Sequence, residues 1–218
     1  MSDRGKNYEA VRETWRRRFL EMDCGRLAER FRLKLDERYL YLTYFSRPYG
    51  IFRATGEIVR LDAPDTPINF NTAMNFYNMF HYAVENPQPS GRLVPFREVR
   101  RVYPFEAAYR KSILIPFAER FSGRAEALRC AMKALSAVPT KQGDAGGTLE
   151  IFPGLTMSVI FWDGDDEFPA QANMLFDYNI TDYMHEENVV CVASDAAGFL
   201  TEEAQLPAPE HLMGSEID

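Results

Sequence analysis

The sequence predicts a single α+β domain, a mostly antiparallel sheet covered by helices. Three observations carry this. The chain opens on a segment with apolar residues at helical spacing. It then runs through short aromatic and β-branched stretches bounded by turn residues, and it closes on a second long helical pattern.

Residues 7–22 form the first predicted helix, with Tyr8, Val11, Trp15, Phe19 and Met22 on one face. Arg12, Arg16, Arg17 and Arg18 lie mostly off that stripe. They are interleaved with Glu9, Glu13, Glu21 and Asp23, the pattern of a solvated, salt-bridged face rather than of a phosphate-binding run. Asp23-Cys24-Gly25 breaks the helix, and a short helical piece follows at Leu27–Phe31. Leu33-Lys34-Leu35 alternates, Asp36-Glu37-Arg38 turns, and Tyr39–Phe45 reads as a strand that Ser46-Arg47-Pro48 ends. Tyr49–Arg53 then adds a third strand to an antiparallel meander.

Pro64 and Pro67 mark a loop over 62–67, after which Asn69 or Asn71 caps a helix over 71–85. Met74, Tyr77, Asn78, His81 and Tyr82 sit near one stripe of it. The loop Asn86-Pro87-Gln88-Pro89-Ser90-Gly91 stops it, and a short strand covers 92–96. Two helices are predicted over 104–121 and 124–138, with Pro116 kinking or splitting the first. The Gly-rich stretch 142–147 lacks the Lys-Ser/Thr of a phosphate loop and reads as a hairpin or linker.

Strands at 148–152, 155–162 and 171–176 follow. The middle one is nearly all apolar, as a central strand is, and the last pairs with it. A helix over 186–200 closes the core through Val189, Val190, Ala193, Ala197 and Leu200. The domain therefore spans 1–200, and the acidic residues 201–218 are expected to form a mobile tail.

Composition sets the class. At 46% hydrophobic and 26% charged residues the chain can bury an ordinary globular core, and no stretch approaches the roughly 18 apolar residues of a membrane helix. The start of the chain has no apolar signal region, and Cys24, Cys130 and Cys191 are isolated. Both features point to a cytoplasmic protein with reduced, buried thiols. Residues 1–110 carry a balance of +5 and residues 111–218 one of −12. The acidic whole argues against nucleic-acid binding. The asymmetry either marks faces for a protein partner or self-association, or is neutralised within the fold.

The most distinctive segment is Trp162-Asp163-Gly164-Asp165-Asp166-Glu167-Phe168. Asp163, Asp165, Asp166 and Glu167 are hard oxygen ligands of the kind Mg²⁺ or Ca²⁺ takes, and Asp177 and His185-Glu186 are candidates for further ligands or acid–base work. A divalent-metal-dependent enzyme is one reading. The order is not that of an EF-hand, however, and Asp163-Gly164 suits a tight turn leaving a buried strand, so the other reading is a structural corner.

His81 is a further candidate for a pocket or for acid–base work. No Cys or Ser nucleophile has a readable pairing with it. Gly-x-Ser-x-Gly, His-x-x-x-His, dinucleotide and zinc patterns are all absent from the sequence. No cofactor is evident, and a binding or accessory module that docks a protein or cofactor is the favoured function.

The stretch Phe161 to Ala170, with Met174-Leu175-Phe176-Asp177, Tyr183 and Glu186, resembles the signature of an uncharacterised domain family of anaerobic and related bacteria and archaea. Tyr77 to Tyr82, Pro89-Ser90-Gly91 and Pro95-Phe96-Arg97-Glu98 are similar to the same family's middle section. The resemblance runs over about residues 7–200. It implies no activity. It implies only that some members are fused to cysteine-rich iron–sulphur domains of corrinoid-protein type, an appendage for which this sequence has no Cys-x-x-Cys pair.

Overall fold

The computed structural model describes residues 3–207, with side chains from Asn7 onward. Helix α1 (Asp3–Leu20) is followed by α2 (Cys24–Phe31). Asp23 accounts for the break between them, because its carboxylate accepts from the Gly25 and Arg26 amides and caps α2. The salt-bridged face of α1 is present: Arg16 and Arg17 both pair with Glu13, which holds the Glu13 carboxyl down at about 2.

A three-stranded antiparallel sheet comes next, in the order β1 (Tyr39–Tyr44), β2 (Arg47–Phe52), β3 (Ile58–Arg60). The first of these strands ends before Ser46-Arg47-Pro48, close to where it was expected to. Phe45 and Ser46 form a two-residue hairpin with φ of 48° and 60°, and Arg47 already belongs to β2. Neither residue carries the usual Asn-Gly signal of such a turn. Burial of Phe45 and the bond from Ser46 Oγ to the Leu135 carbonyl hold it in place.

Helix α3 (Phe70–Tyr82) is capped by Asn69, whose side chain accepts from the Thr72 amide at 2.7 Å. Every residue from Thr72 to Phe80 is buried, because α3 lies between α1 and α7 (Glu186–Glu203). Strand β4 (Leu93–Pro95) follows, and then α4 (Glu106–Tyr109), a π-helical stretch at Arg110–Leu114 and α5 (Ile115–Phe121). The split predicted at Pro116 takes this form. The wider turn ends at Leu114, two residues before Pro116, which has no N–H to close an ordinary α turn.

Helix α6 (Ala125–Ala134) leads into β5 (Val138–Pro139), β6 (Ala145–Phe152), β7 (Leu155–Trp162) and β8 (Gln171–Asp177). They form a second antiparallel sheet, ordered β4-β8-β7-β6-β5. The nearly all-apolar β7 is its central strand, paired with β8 as predicted. The Phe45 amide donates to the Ile151 carbonyl and stitches the two sheets together, and one hydrophobic core runs through both.

Three expectations fail. Leu33-Lys34-Leu35 forms no strand, only an isolated antiparallel bridge between Leu35 and Leu40. Cys130 is exposed on α6 rather than buried, and Cys24 and Cys191 are only partly covered. The predicted tail begins inside a helix: α7 continues to Glu203 with Thr201 buried, while residues 208–218 lie outside the described ones.

Candidate functional site

The acidic turn leaves β7 as a built corner. Asp163 Oδ1 accepts from the Gly123 and Gly164 amides at 2.7 and 2.9 Å. Asp165 Oδ1 accepts from Glu167 and Phe168 at 2.8 and 2.7 Å, which lowers the pKa of its carboxyl. Asp166 and Glu167 are exposed. Among the described residues no group of three or more His, Cys, Asp and Glu is placed to hold a metal ion.

Asp177 stands elsewhere, at the end of β8, and is fully buried. Its carboxylate accepts from Ser90 N, Ser90 Oγ, Gly91 N and Asn179 N at 2.8–2.9 Å. It clasps the Pro89-Ser90-Gly91 turn onto the sheet. That leaves it a poor general base, since four donors already occupy its lone pairs.

The two candidate histidines do come together, with Tyr82 between them. His81 and Tyr82 have ring centroids 4.7 Å apart, and Tyr82 and His185 5.2 Å. Trp15 from α1 packs on His81 at 5.2 Å and on Tyr82 at 5.8 Å, and the Arg18 guanidinium lies 4.5 Å from the Trp15 ring. His81 faces solvent, so its stripe on α3 divides: Met74, Tyr77 and Asn78 go into the core, while His81 and Tyr82 do not. The stripe of α1 divides in the same way. Phe19 is fully buried, yet Tyr8 is 47% and Val11 37% exposed.

His185 caps α7. Its Nδ1 accepts from the Glu187 amide at 3.3 Å, so a proton on the neutral ring sits on Nε2, 3.8 Å from Glu186 Oε2. Glu186 and Glu187 occupy the first turn of α7, where the helix dipole favours them.

A polar network that the sequence reading missed lies in the core between β1, α3 and α7. Asp195 Oδ2 accepts from Tyr44 OH at 2.9 Å, Thr72 Oγ1 at 3.0 Å and Asn75 Nδ2 at 3.1 Å. Asn75 Nδ2 also donates to Tyr44 OH, and Asn188 Nδ2 donates to Asn75 Oδ1. Burial pushes the Asp195 carboxyl up to about 6 against the pull of these donors. Burial, with the Asp195 charge beside it, raises the Tyr44 phenol well above its usual value. A signal was available: Asp195 is the one charged residue in the mostly apolar run from Val189 to Leu200, at helical spacing from Val192 and Phe199.

A family model described as a domain of unknown function (DUF3786) matches residues 23–198. The chain belongs to this family. No curated protein and no solved structure matches it. The matched residues run from the cap of α2 into α7, so the family's span holds the acidic corner, the Asp177 clasp, both histidines and the Asp195 network. Trp15, Tyr8 and Val11 come from α1, outside that span.

Proposed function

We propose that the chain is a non-catalytic binding module of the cytoplasm that docks a protein partner through the aromatic surface of α1, the end of α3 and the start of α7. The observation that carries this reading is Tyr82, which is 43% exposed although it touches Trp15, His81 and His185. Tyr8 and Val11 extend the same apolar stripe along α1. Trp, Tyr and Arg are the residue types that dominate binding energy at protein interfaces, and Trp15, Tyr82 and Arg18 pack into one group. Asp163, Asp165, Asp177 and His185 are engaged in turns, a clasp and a cap, which supports a binding role over a catalytic one. The free cysteines fit a reducing compartment, and among the described residues no helix is long and apolar enough to cross a membrane.

A photo-crosslinking amino acid placed at Tyr82 in cells tests the reading, with Tyr103, 77% exposed on another element, as the control position. A discrete adduct from position 82 that is absent from position 103, and that Trp15→Ala weakens by about tenfold or more, is expected. Equal labelling from both positions, or none, would overturn it. Sizing the adduct tells a foreign partner from a second copy of the chain.

A further inference from the structure

Away from the aromatic surface, β2, β3, the loop before α3 and the end of α7 enclose a cleft of about 80 Å³. Arg47, Tyr49, Arg60, Asn69, Thr72 and Phe199 line it, with Glu202 at its mouth. Arg47 is the unusual member. Its side chain is only 5% exposed, and its guanidinium lies 4.3 Å from the Phe199 ring centroid. Its Nη1 and Nη2 meet Glu202 at 2.8 Å and Glu203 at 2.6 Å. Its buried Nε finds no hydrogen-bond partner among the described residues. Arg60, 14% exposed, reaches the same Glu202 carboxylate at 3.4 Å and pairs with Asp62 at 2.9 Å.

Two largely buried arginines thus converge on one carboxylate that is itself 54% exposed. The arginines are fixed by the sheet, whereas Glu202 stands on the last turn of α7 and can swing into water. When Glu202 leaves, Arg47 keeps Glu203 and Arg60 keeps Asp62, but Arg47 Nη1 and Arg60 Nη1 lose their acceptor beside the unpartnered Arg47 Nε, and those donors favour an incoming anion. The cleft behind it offers room for a small oxyanion and is lined by the Tyr49 side chain, while the Thr72 hydroxyl is committed to Asp195.

We propose that this cleft is a binding site for a small oxyanion, a phosphate or carboxylate group, held by Arg47 and Arg60, and that Glu202 is the internal anion it displaces. The guanidinium fork matches either group, since both present two oxygens in a plane. The inference is independent of the docking surface, with which it shares no residue.

Calorimetric titration with inorganic phosphate and, separately, acetate at constant ionic strength tests it on three proteins: wild type, Glu202→Gln and Glu202→Gln/Arg60→Gln. Glu202→Gln should bind one of the two anions at least about tenfold more tightly than wild type, because a competing charge-assisted pair is gone. Adding Arg60→Gln should cancel that gain. The Arg47 Nε–H resonance should shift with the titration, which places the anion in the cleft rather than elsewhere on the surface. Phosphate or acetate as the tighter ligand identifies the group. Equal affinity in wild type and Glu202→Gln, a gain that survives Arg60→Gln, or an unmoved Arg47 resonance would sink the proposal. Glu202→Ala provides a second variant for the same comparison if the glutamine form is unstable.

Discussion

Tyr44 and Asp195, 151 residues apart, meet at the centre of the core, where the phenol donates a 2.9 Å hydrogen bond to carboxylate Oδ2. Both side chains are fully or almost fully buried, so this bond and its neighbours decide whether a potential charge can stay inside the fold.

Asp195 should make stability depend on pH in an unusual direction. Its carboxyl is raised to about 6 from the ordinary 3.8, so between these values the folded chain holds a proton the unfolded chain has lost. Stability from this group is full below pH 4, falls as pH rises to 6, and is flat above. Denaturant unfolding of wild type and Asp195→Asn from pH 4 to 7 checks it. Wild type should lose on the order of 2–3 kcal/mol relative to the variant across that window. A constant difference would mean that the carboxyl titrates normally.

Tyr44→Phe should destabilise the protein by about 1–3 kcal/mol, because it strips Asp195 of one of its donors while leaving the ring packing in place. Chemical denaturation at pH 7 measures this. The loss should shrink at pH 4, where the protonated carboxyl carries no charge to desolvate.

Asp177→Asn should cost about 2–3 kcal/mol and loosen the 86–91 loop. The amide nitrogen would face donors that now point at a carboxylate oxygen. Limited proteolysis should show faster cleavage within 86–91, with the rest of the domain unchanged in its fragment pattern.

The acidic corner should behave as backbone scaffolding. Asp165→Asn weakens the acceptor for two amides and should lower the melting temperature, whereas Asp166→Asn should not. The lowered carboxyl of Asp165 gives a contribution that is lost as pH falls, opposite in sign to that of Asp195. Millimolar Mg²⁺ or Ca²⁺ should leave the melting temperature where it is. A clear upward shift that Asp165→Asn abolishes would restore the metal reading.

Gly143→Ala and Gly91→Ala should separate strain from collision. Both glycines have positive φ, 70° and 69°. A Cβ at Gly143 would sit 2.3 Å from the Phe161 carbonyl oxygen, while one at Gly91 meets open space. Gly91→Ala should cost about 1 kcal/mol and Gly143→Ala clearly more, since backbone cannot step aside. The Gly-rich stretch is the hairpin it was read as, joining the antiparallel β5 and β6, and at Gly143 it is also a close approach of two backbones.

The sequence by itself determined the α+β class, the order of most elements, the central place of β7 and the corner after it. These follow from periodicity and turn chemistry, which are local. The β3 strand was not legible, and of the Phe45-Ser46 turn only its approximate place was, because tertiary packing rather than residue preference holds its two-residue form. Only the tertiary structure decided which polar groups are sealed in and which aromatics stay out. Periodicity names the face of a helix but not what covers it. α3 is enclosed on all sides from Thr72 to Phe80 and takes Asn75 inside, α1 leaves Tyr8 open, and Asp195 found its donors on elements more than a hundred residues away.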